Sequence, residues 1–365
     1  MSDNYTLYGT DFSLYTGKIR SYLRKKGIPY EEVHSSIKVY KNFIVPRTGV
    51  RVVPIVQSPD DEVWQDTTVI IDALEARFPE YSVYPTTPKQ KLVSLLLETY
   101  GDEWLLIPAM HYRWAYQDVN QPYVFQKFGT IVSPKLPKFI RFRIGRKLGE
   151  RFKSMVPMLG IKEDSIPAIE ASYEQLLADL EQHFQKHNYL LGARPSIADF
   201  GFMGPLYAHL YLDPYPGKYM REHAPAVAKW VQRMNSDEVA SGDFLIDDEI
   251  PDTLLPILER MAREQLPVLL NTDKELFAWA KDNPESEIPR FIGEHNFTVE
   301  GVTSTRAVLP YNLWMFQRPV DYYQSLSSEQ KKSVIQLLGK MGLTDALQSG
   351  LRNRLERKNN LLQFA

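Results

Sequence analysis

Cysteine is absent from the 365-residue sequence. Its absence excludes disulfide bonds, cysteine-ligated zinc, iron–sulfur clusters and a thiol nucleophile supplied by the protein itself. The sequence also has no apolar run long enough to span a bilayer. Its first residues, MSDNYTLYG, lack the basic-then-apolar pattern of a secretory signal. We therefore expect a soluble cytoplasmic protein.

Neither sign of charge dominates the chain, because 43 Lys and Arg residues face 45 Asp and Glu residues, for a net charge of −2. This balance gives no overall case for a nucleic-acid partner or an acidic tail. The hydrophobic content of 44% and charged content of 24% are typical of a globular protein. The length allows two domains and a sizeable core.

The N-terminal part alternates between short extended segments and helical ones. Residues 5–9 predict a strand, and residues 14–26 predict a helix with Ile19, Tyr22 and Leu23 on one apolar face. The segments PYEEVHSS and RVVPIVQ predict two more strands, and TTVIIDALEARFP predicts a helix. This order of elements predicts a small α/β domain.

The remainder of the sequence is mostly helical in pattern. Residues 81–90, YSVYPTTPKQ, are rich in proline and threonine and predict a linker. Helices are expected within 91–116, 166–187, 196–210 and 226–236, and in most of the chain beyond. Two segments near the end differ in character: RFIGEHNFTVEGVTSTRAVLP alternates and predicts a hairpin, whereas TDALQSGLRNRLERK predicts a helical tail.

Ser13 stands where the first predicted helix begins, within DFSLYTGKIR. A serine there serves as an N-cap or presents its hydroxyl to an anion, which the unpaired amides and dipole of a helix N-terminus attract. With no cysteine in the chain, a thiolate at this position would have to arrive on a ligand. Tyr8 and Tyr15 are alternative hydroxyl donors. The stretch alone favours the cap.

A second group of candidate binding residues follows in Val53-Pro54 and Asp66-Thr67. A proline inside a strand pattern indicates an edge strand or a cis bond at a functional turn. The backbone of Val53 could then pair with an extended peptide ligand. We expect Thr67 to cap the next helix and to bind a ligand carboxylate, and Asp66 to bind a ligand ammonium group. The alternative is an ordinary capped helix after an edge strand.

Taken together, these segments resemble the glutathione transferase superfamily. The resemblance is carried by FSLYTGKIR, VVPIV, QDTTVIIDALEARFP and YLLGARPSIADFGFMGPL, and it covers about residues 5–235. In the last of these segments Ser196 and Asp199 form the two ends of a capping box, with a structural role.

The resemblance implies a fold and a domain organisation. A thioredoxin-like α/β domain over 1–82 would precede an all-helical domain over 90–235, which contains a basic insertion near 120–165. A mostly helical C-terminal extension would cover 236–365. Members of the family usually form homodimers, so a homodimer is expected.

The resemblance also implies a binding mode for glutathione as co-substrate, without a metal. Ser13 matches the position that stabilises the glutathione thiolate in serine-type members. Val53, before a cis-Pro54, matches the residue that pairs with the cysteinyl backbone. Asp66 and Thr67 match the acid-plus-hydroxyl pair for the γ-glutamyl group, in place of the more usual Glu-Ser. Lys41, or Lys38 instead, would meet the glycyl carboxylate.

A serine rather than a cysteine at position 13 argues against thiol transfer through a protein mixed disulfide. It favours attack by the bound glutathione thiolate on a hydrophobic electrophile, in a conjugation or a glutathione-dependent cleavage. The alternative function is a non-catalytic member of the superfamily that binds a protein partner or an apolar ligand. Its motivation is the long C-terminal extension and the basic insertion.

The segment DEWLLIPAMHYRWAY, residues 102–116, supplies candidates for the electrophile pocket. Methionine and aromatic side chains suit a loose apolar pocket, although for any one of them a place in the core is the commoner outcome. Together with one tyrosine of the first helix, the candidates are Tyr15, Trp104, Met110, His111 and Trp114.

The segment KLPKFIRFRIGRKLGERFK, residues 135–153, holds eight basic residues and one acid, interleaved with aromatic and aliphatic residues. Interfacial helices have this composition, and so do helices that cover an acidic surface. Of the two, we expect a partly buried amphipathic cover over the cleft rather than membrane contact.

Overall fold

The computed structural model describes residues 4–132, 134–283 and 287–365. The strands are β1 (Tyr5–Gly9), β2 (Tyr30–His34), β3 (Ile55–Gln57), β4 (Val63–Gln65), β5 (Glu294–Val299), β6 (Val302–Ala307), β7 (Leu355–Lys358) and β8 (Leu361–Phe364). The helices are α1 (Leu14–Lys25), α2 (Ile37–Val39), α3 (Val45–Thr48), α4 (Thr67–Arg77), α5 (Pro88–Thr99), α6 (Leu106–Trp114), α7 (Gln117–Val132), α8 (Lys138–Lys153), α9 (Ile166–Phe184), α10 (Ile197–Ala208), α11 (Pro214–His223), α12 (Pro225–Asn235), α13 (Leu255–Arg260), α14 (Leu266–Asp282), α15 (Pro310–Ser325), α16 (Ser328–Leu338) and α17 (Thr344–Ser349).

The chain divides by its contacts into two compact units. The first unit contains the chain up to Val83, Ala109–Val156 and Phe202–Gly242. The second contains Tyr84–Pro108, Pro157–Gly201 and Asp243–Ala365. Within the described ranges, no helix is both long enough and apolar enough to cross a membrane.

The first unit is built on a four-stranded mixed sheet with the order β2-β1-β3-β4. Strand β1 pairs parallel with β2 and antiparallel with β3, and β3 pairs antiparallel with β4. The predicted α/β character of this part of the chain is therefore confirmed. Helices α1 and α4 contribute its core, since Ile19, Tyr22, Leu23 and Leu74 are all fully buried.

The proline in the third strand pattern belongs to a cis peptide bond, Val53-Pro54. Strand β3 begins one residue later, at Ile55, and has a neighbour on both sides. The cis alternative is therefore confirmed and the edge-strand alternative is wrong. Pro54 is tolerated here because it precedes the first ladder residue, where its missing N–H removes no strand hydrogen bond.

Helices α7 and α8 form a tightly packed antiparallel pair through three glycines. A Cβ atom at Gly145 would lie 1.8 Å from the carbonyl oxygen of Phe125, and one at Gly129 would lie 2.1 Å from the carbonyl oxygen of Arg141. At Gly149 the nearest atoms would belong to the Phe125 ring, at 2.8 Å. The two helix backbones thus touch directly, which only glycine permits.

The second unit combines helices with two separate hairpins. Strands β5 and β6 pair antiparallel, which confirms the hairpin predicted within residues 290–310. Asp199 fixes the start of α10, because its carboxylate accepts the N–H of Ser196 at 2.9 Å and the N–H of Leu190 at 3.0 Å. The predicted structural role of the Ser196–Asp199 pair is therefore confirmed.

The predicted helical tail over residues 344–358 is wrong beyond Ser349. Helix α17 ends there, and Gly350 follows with a φ of +69°. Strands β7 and β8 then pair through a tight turn in which Asn359 and Asn360 have φ values of +52° and +63°. Two successive asparagines with positive φ are typical of a type I′ hairpin turn, a signal that the charged sequence around it obscures.

We expect Gly145→Ala to lower the free energy of unfolding by about 2 kcal/mol or more, because the added methyl overlaps a backbone carbonyl of α7. Gly339→Ala is the matched control. It also places a methyl on a residue of helical φ and ψ, but the nearest atom is 3.9 Å away. Urea denaturation of both variants is the measurement, and equal losses would contradict the close packing of α7 and α8.

Candidate functional site

The candidate binding residues of the first unit meet at one end of the sheet. The strand register aligns Tyr8 of β1 with Ile55 of β3, and Ile55 with Gln65 of β4. One residue beyond this row the chain enters the loop to Ser13, the cis-Pro54 bond and the start of α4. The helices α1 and α4 therefore both begin at the same end of the sheet.

Ser13 is the N-cap of α1. Its Oγ accepts the N–H of Thr16 at 3.4 Å, and its carbonyl oxygen accepts the N–H of Gly17 at 2.9 Å. The side chain is only half-buried. A hydroxyl that accepts one hydrogen bond keeps its own proton to donate. Capping and donation to an anion are therefore compatible at this position.

The loop that carries Ser13 is held by buried cations from outside the loop. Arg20 is 5% exposed and donates to the carbonyl oxygen of Thr10 at 3.3 Å. It also forms two hydrogen bonds with the Glu32 carboxylate, at 2.6 and 2.7 Å. Strand β2 thereby fixes the entrance to α1 through a single guanidinium.

Arg113 holds the same loop two residues further on. Its guanidinium donates to the carbonyl oxygen of Phe12 at 3.1 Å and lies 5.6 Å from the centre of the Phe12 ring. A buried bidentate pair with Asp213, at 2.7 and 2.9 Å, orients it. Lys127 of α7 pairs with the Asp11 carboxylate. Each loop residue before Ser13 is thus contacted by a cation.

Close approach of α1 to the strand explains Gly9. A Cβ atom there would lie 2.1 Å from Cγ2 of Thr16, whose hydroxyl accepts the N–H of Thr10 at 3.4 Å. A larger residue would push the first turn of α1 away from the sheet. The Gly9 position therefore contributes to the placement of Ser13.

Tyr8 is occupied with other contacts. Its hydroxyl donates to Oε1 of Gln57 at 2.9 Å, and its ring stacks on Phe43 at 4.2 Å. Burial, with a contribution from Glu31, raises the pKa of Tyr8. Tyr15 lies on the first turn of α1 and is half-buried. Of the three predicted hydroxyl donors, Ser13 alone occupies the cap position.

Val53 offers an unpaired backbone beside this end of the sheet. Among the residues that the structure describes, neither its N–H nor its carbonyl oxygen bonds to another backbone group. Its side chain is half-buried, whereas Pro54 is buried. Backbone groups without a partner of this kind can pair with an extended ligand.

Asp66, rather than Thr67, caps α4, so our expectation that Thr67 is the cap is wrong. The Asp66 carboxylate accepts the N–H of Thr68 at 3.0 Å. The Asp66 backbone has a φ of +89°, a value that is costly for a residue with a side chain. Thr67 is the first helical residue and is 5% exposed. A carboxylate and the first amides of a helix therefore stand side by side.

The remaining predicted residues lie in different surroundings. Lys38 and Lys41 are exposed on the irregular helical segment that follows β2. In the first unit His111 and Trp114 are 4% exposed, and Met110 is half-buried. Trp114 stacks on Phe128 at 5.9 Å, so it contributes to a packed aromatic cluster.

Trp104 belongs to the second unit, where it is 3% exposed. Its ring lies 6.3 Å from that of Phe297, and the Arg306 guanidinium lies 5.4 Å from its centre. Burial lowers the pKa of Arg306 to about 10. These contacts give Trp104 a packing role in that unit. Within the described residues, no group of three His, Asp or Glu side chains could hold a metal.

A polar cleft of about 390 Å³ also opens in the first unit. Its lining combines both signs of charge, which pair among themselves as in Arg20–Glu32. The lining residues are Asp11, Arg20, Arg24, Glu32, His34, Tyr207 and Asn235. Sequence reasoning missed Arg20 and Glu32 because a lone arginine on a helix and a glutamate on a strand carry no motif.

Comparisons with known proteins match both parts of the predicted resemblance. Residues 7–82 match the family model of the glutathione S-transferase N-terminal domain. Residues 152–238 match the model of the glutathione S-transferase C-terminal domain. The chain therefore belongs to the glutathione S-transferase superfamily. A thioredoxin-like part precedes a helical part, as predicted, and further helices and strands follow.

Solved structures similar to the chain share little sequence with it. A glutathione S-transferase-like protein from Pseudomonas syringae is 20% identical, with a TM-score of 0.42 over 66% of this chain and 70% of its own. A glutathione S-transferase from Rhodospirillum rubrum F11 is 17% identical, with a TM-score of 0.41 over 70% and 91%. The β-etherase LigF from Sphingobium sp. strain SYK-6 is 20% identical, with a TM-score of 0.43 over 64% and 95%. No curated protein matches.

We expect Arg20→Leu to lower the free energy of unfolding by about 2–3 kcal/mol, because it leaves Glu32 and the Thr10 carbonyl without their buried donor. Arg47→Leu is the control, since Arg47 pairs with Asp61 at the surface and its loss should cost less than about 1 kcal/mol. Urea denaturation of both variants is the measurement. Equal costs would contradict the role of Arg20 as the fixed point of the loop.

Proposed function

We propose that the protein is a serine-type glutathione transferase in which Ser13 stabilises the thiolate of bound glutathione. The observation that carries this proposal is the strand register, which brings Ser13, Val53-Pro54 and Asp66-Thr67 to one end of the sheet. Membership of the superfamily supports glutathione as the ligand.

The thiolate would lie at the N-terminus of α1. Bringing a thiol pKa from above 8 to between about 6 and 7 requires about 2–3 kcal/mol of preferential stabilisation of the anion. The dipole and free amides of a helix start supply up to about 2 kcal/mol. A hydrogen bond to a charged acceptor supplies about 1.5–3 kcal/mol. One helix end and the Ser13 hydroxyl are therefore sufficient together.

The rest of the tripeptide would follow the same end of the sheet. The free N–H and carbonyl of Val53 are suited to the cysteinyl backbone, in the manner of an added strand. The Asp66 carboxylate is suited to the γ-glutamyl ammonium, and Thr67 with the first amides of α4 is suited to the γ-glutamyl carboxylate. Lys41 is exposed, and it is the residue that we assign to the glycyl carboxylate.

The second substrate would be a hydrophobic electrophile. The thiolate sulfur forms a bond to the electrophilic carbon, and the leaving group departs with the bonding electron pair in a substitution or cleavage. Tyr15 and Met110 are the half-buried members of the predicted apolar set in the first unit. His111 and Trp114 are more buried, and their contribution would be to support the pocket from behind. Trp104 belongs to the second unit and is not part of the proposed pocket.

Ser13→Ala tests the thiolate role. It should lower kcat with an aryl halide about tenfold or more, and should raise the lower pKa of the kcat/KM profile by about one pH unit or more. Glutathione affinity measured by calorimetry should change little, because the tripeptide retains its other contacts.

Ser327→Ala is the control for the cap itself. Ser327 caps α16 with an Oγ that accepts the N–H of Gln330 at 3.3 Å, so both substitutions remove an N-cap and about 1 kcal/mol of stability. Turnover should change in the Ser13 variant alone. Absence of glutathione binding at millimolar concentration in the unmodified protein would end the proposal, as would an unchanged pH profile of Ser13→Ala.

Asp66→Asn separates recognition from capping. Asparagine caps helices as well as aspartate does and tolerates positive φ, so the free energy of unfolding should change by less than about 0.5 kcal/mol. Glutathione affinity should fall about tenfold or more, because the ammonium group loses its charged partner. A glutathione analogue without the γ-glutamyl amino group should bind both proteins equally. A full affinity loss with that analogue would contradict the pairing.

A further inference from the structure

Helix α8 concentrates positive charge on the surface of the first unit. Residues 135–153 carry a formal charge of +7 in a chain of total charge −2, which leaves −9 for the remainder. The exposed basic side chains of this segment are Lys135, Lys138, Arg143, Arg146, Lys147 and Arg151. We call the exposed side of α8 that Phe139, Arg143, Arg146 and Lys147 form the basic face.

In the part of the chain that the structure describes, the cations of the basic face have no acidic partners. Among the described residues, none of the arginines and lysines of α8 belongs to an ion pair. The only acid in the helix is Glu150. Elsewhere in the same unit, Arg20, Arg47 and Arg77 do form ion pairs. The lack of ion pairs among the described residues is therefore a property of α8 that these three arginines of the same unit do not share.

Apolar side chains stand among these cations. Phe139 is 67% exposed, and Phe152 is 41% exposed near the other end of the helix. Ile140, Ile144 and Leu148 recur at every fourth position and are half-buried, so they form a line along one flank of the basic face. Cations beside a line of apolar side chains are typical of helices that lie in a membrane interface.

Contacts of the helix pair place α8 on the outside of α7. The Phe128 ring of α7 lies 5.2 Å from the Phe12 ring of the Ser13 loop. The carbonyl oxygen of Thr130, also in α7, lies 3.1 Å from Nε2 of His34. Helix α8 instead packs on α7 through Gly145 and Gly149. The basic face is therefore exposed. The cover over the cleft that we expected of this segment stays a prediction.

Three classes of occupant can be compared for the basic face. A second copy in a two-fold contact would bring basic face against basic face and repel it. Single-stranded nucleic acid is bound along grooves with stacking aromatics, whereas α8 is a convex helix. The chemistry that uses both the cations and the apolar line is an anionic bilayer, whose headgroups attract clusters of four to eight basic residues.

We propose that α8 docks the protein peripherally on bilayers that contain anionic lipids. Arg143, Arg146 and Lys147 contact the headgroups, and Phe139 enters the interfacial region between them. No membrane span is involved. The attraction between the cations and the headgroups is electrostatic, so salt screens it. The contact of the Phe139 ring is apolar and is not screened by salt. The docking is independent of the glutathione reaction proposed above.

Vesicle co-sedimentation of the full-length protein tests the docking. Binding is expected to vesicles of phosphatidylcholine with about 30 mol% phosphatidylserine at about 0.1 M salt, and not to phosphatidylcholine alone. Raising the salt to about 0.5 M should release the protein. The triple variant Arg143→Gln, Arg146→Gln, Lys147→Gln should bind about tenfold more weakly or worse.

A second triple variant, Lys229→Gln, Lys274→Gln, Lys332→Gln, is the matched control. It removes the same charge from exposed positions of α12, α14 and α16, and should leave binding unchanged. Equal weakening by the two triples would reduce the effect to net charge and overturn the proposal.

Phe139→Ser tests the apolar contact without a change of charge. It should weaken vesicle binding several-fold, and Phe291→Ser, at a residue 51% exposed, should not. Three results would overturn the proposal: binding to uncharged vesicles, retention on single-stranded RNA but not on anionic vesicles, or a change of oligomeric state in the α8 triple variant.

Discussion

The buried guanidinium of Arg20 is the contact on which the geometry of the candidate site depends. A loop between a strand and a helix has no hydrogen-bond ladder of its own, so its shape must be fixed from outside. Arg20 reaches back along α1 to the Thr10 carbonyl and is itself oriented by Glu32 of the neighbouring strand. Arg113, from a different part of the chain, donates to the Phe12 carbonyl oxygen and so fixes the loop at a second point. These two contacts position Ser13, because within the described residues its side chain has no partner outside its own helix turn.

The same end of the sheet combines two helix starts with a strained residue. Each helix N-terminus carries partial positive charge, and two of them together favour a ligand with separate anionic groups. Asp66 places a carboxylate at the start of α4 and has a φ of +89°. A glycine would remove that strain but also the carboxylate and the cap, so the strain is tolerated for the side chain that it presents. A zwitterionic end group next to an anion is the charge pattern that this arrangement complements.

Local patterns predicted the elements but not the contacts that align them. The apolar stripe of α1 and the cis proline before β3 could be foreseen because periodicity and proline chemistry act within a few residues. The clamp by Arg20 could not, because Glu32 and Thr10 become neighbours only when β2 pairs with β1. The residue that caps α4 could not be predicted from local patterns either. Aspartate and threonine both cap helices, and the backbone angle at residue 66 decides between them. The prediction of a helical tail was wrong beyond Ser349, because the charged residues around Asn359 fit a helix as well as a hairpin.

The helical pair α7–α8 connects the loop of the candidate site to the surface that we propose for lipids. Helix α7 touches the Ser13 loop through Lys127 and Phe128, and α8 rests on α7 through backbone contacts at glycines. Helices in such close contact cannot slide past each other without losing many van der Waals contacts at once. A force that the bilayer exerts on α8 would therefore move α7 together with it. An apolar electrophile partitions into bilayers. A transferase docked by α8 would therefore meet that substrate where its local concentration is highest, with the loop of Ser13 one helix layer away from the docking face.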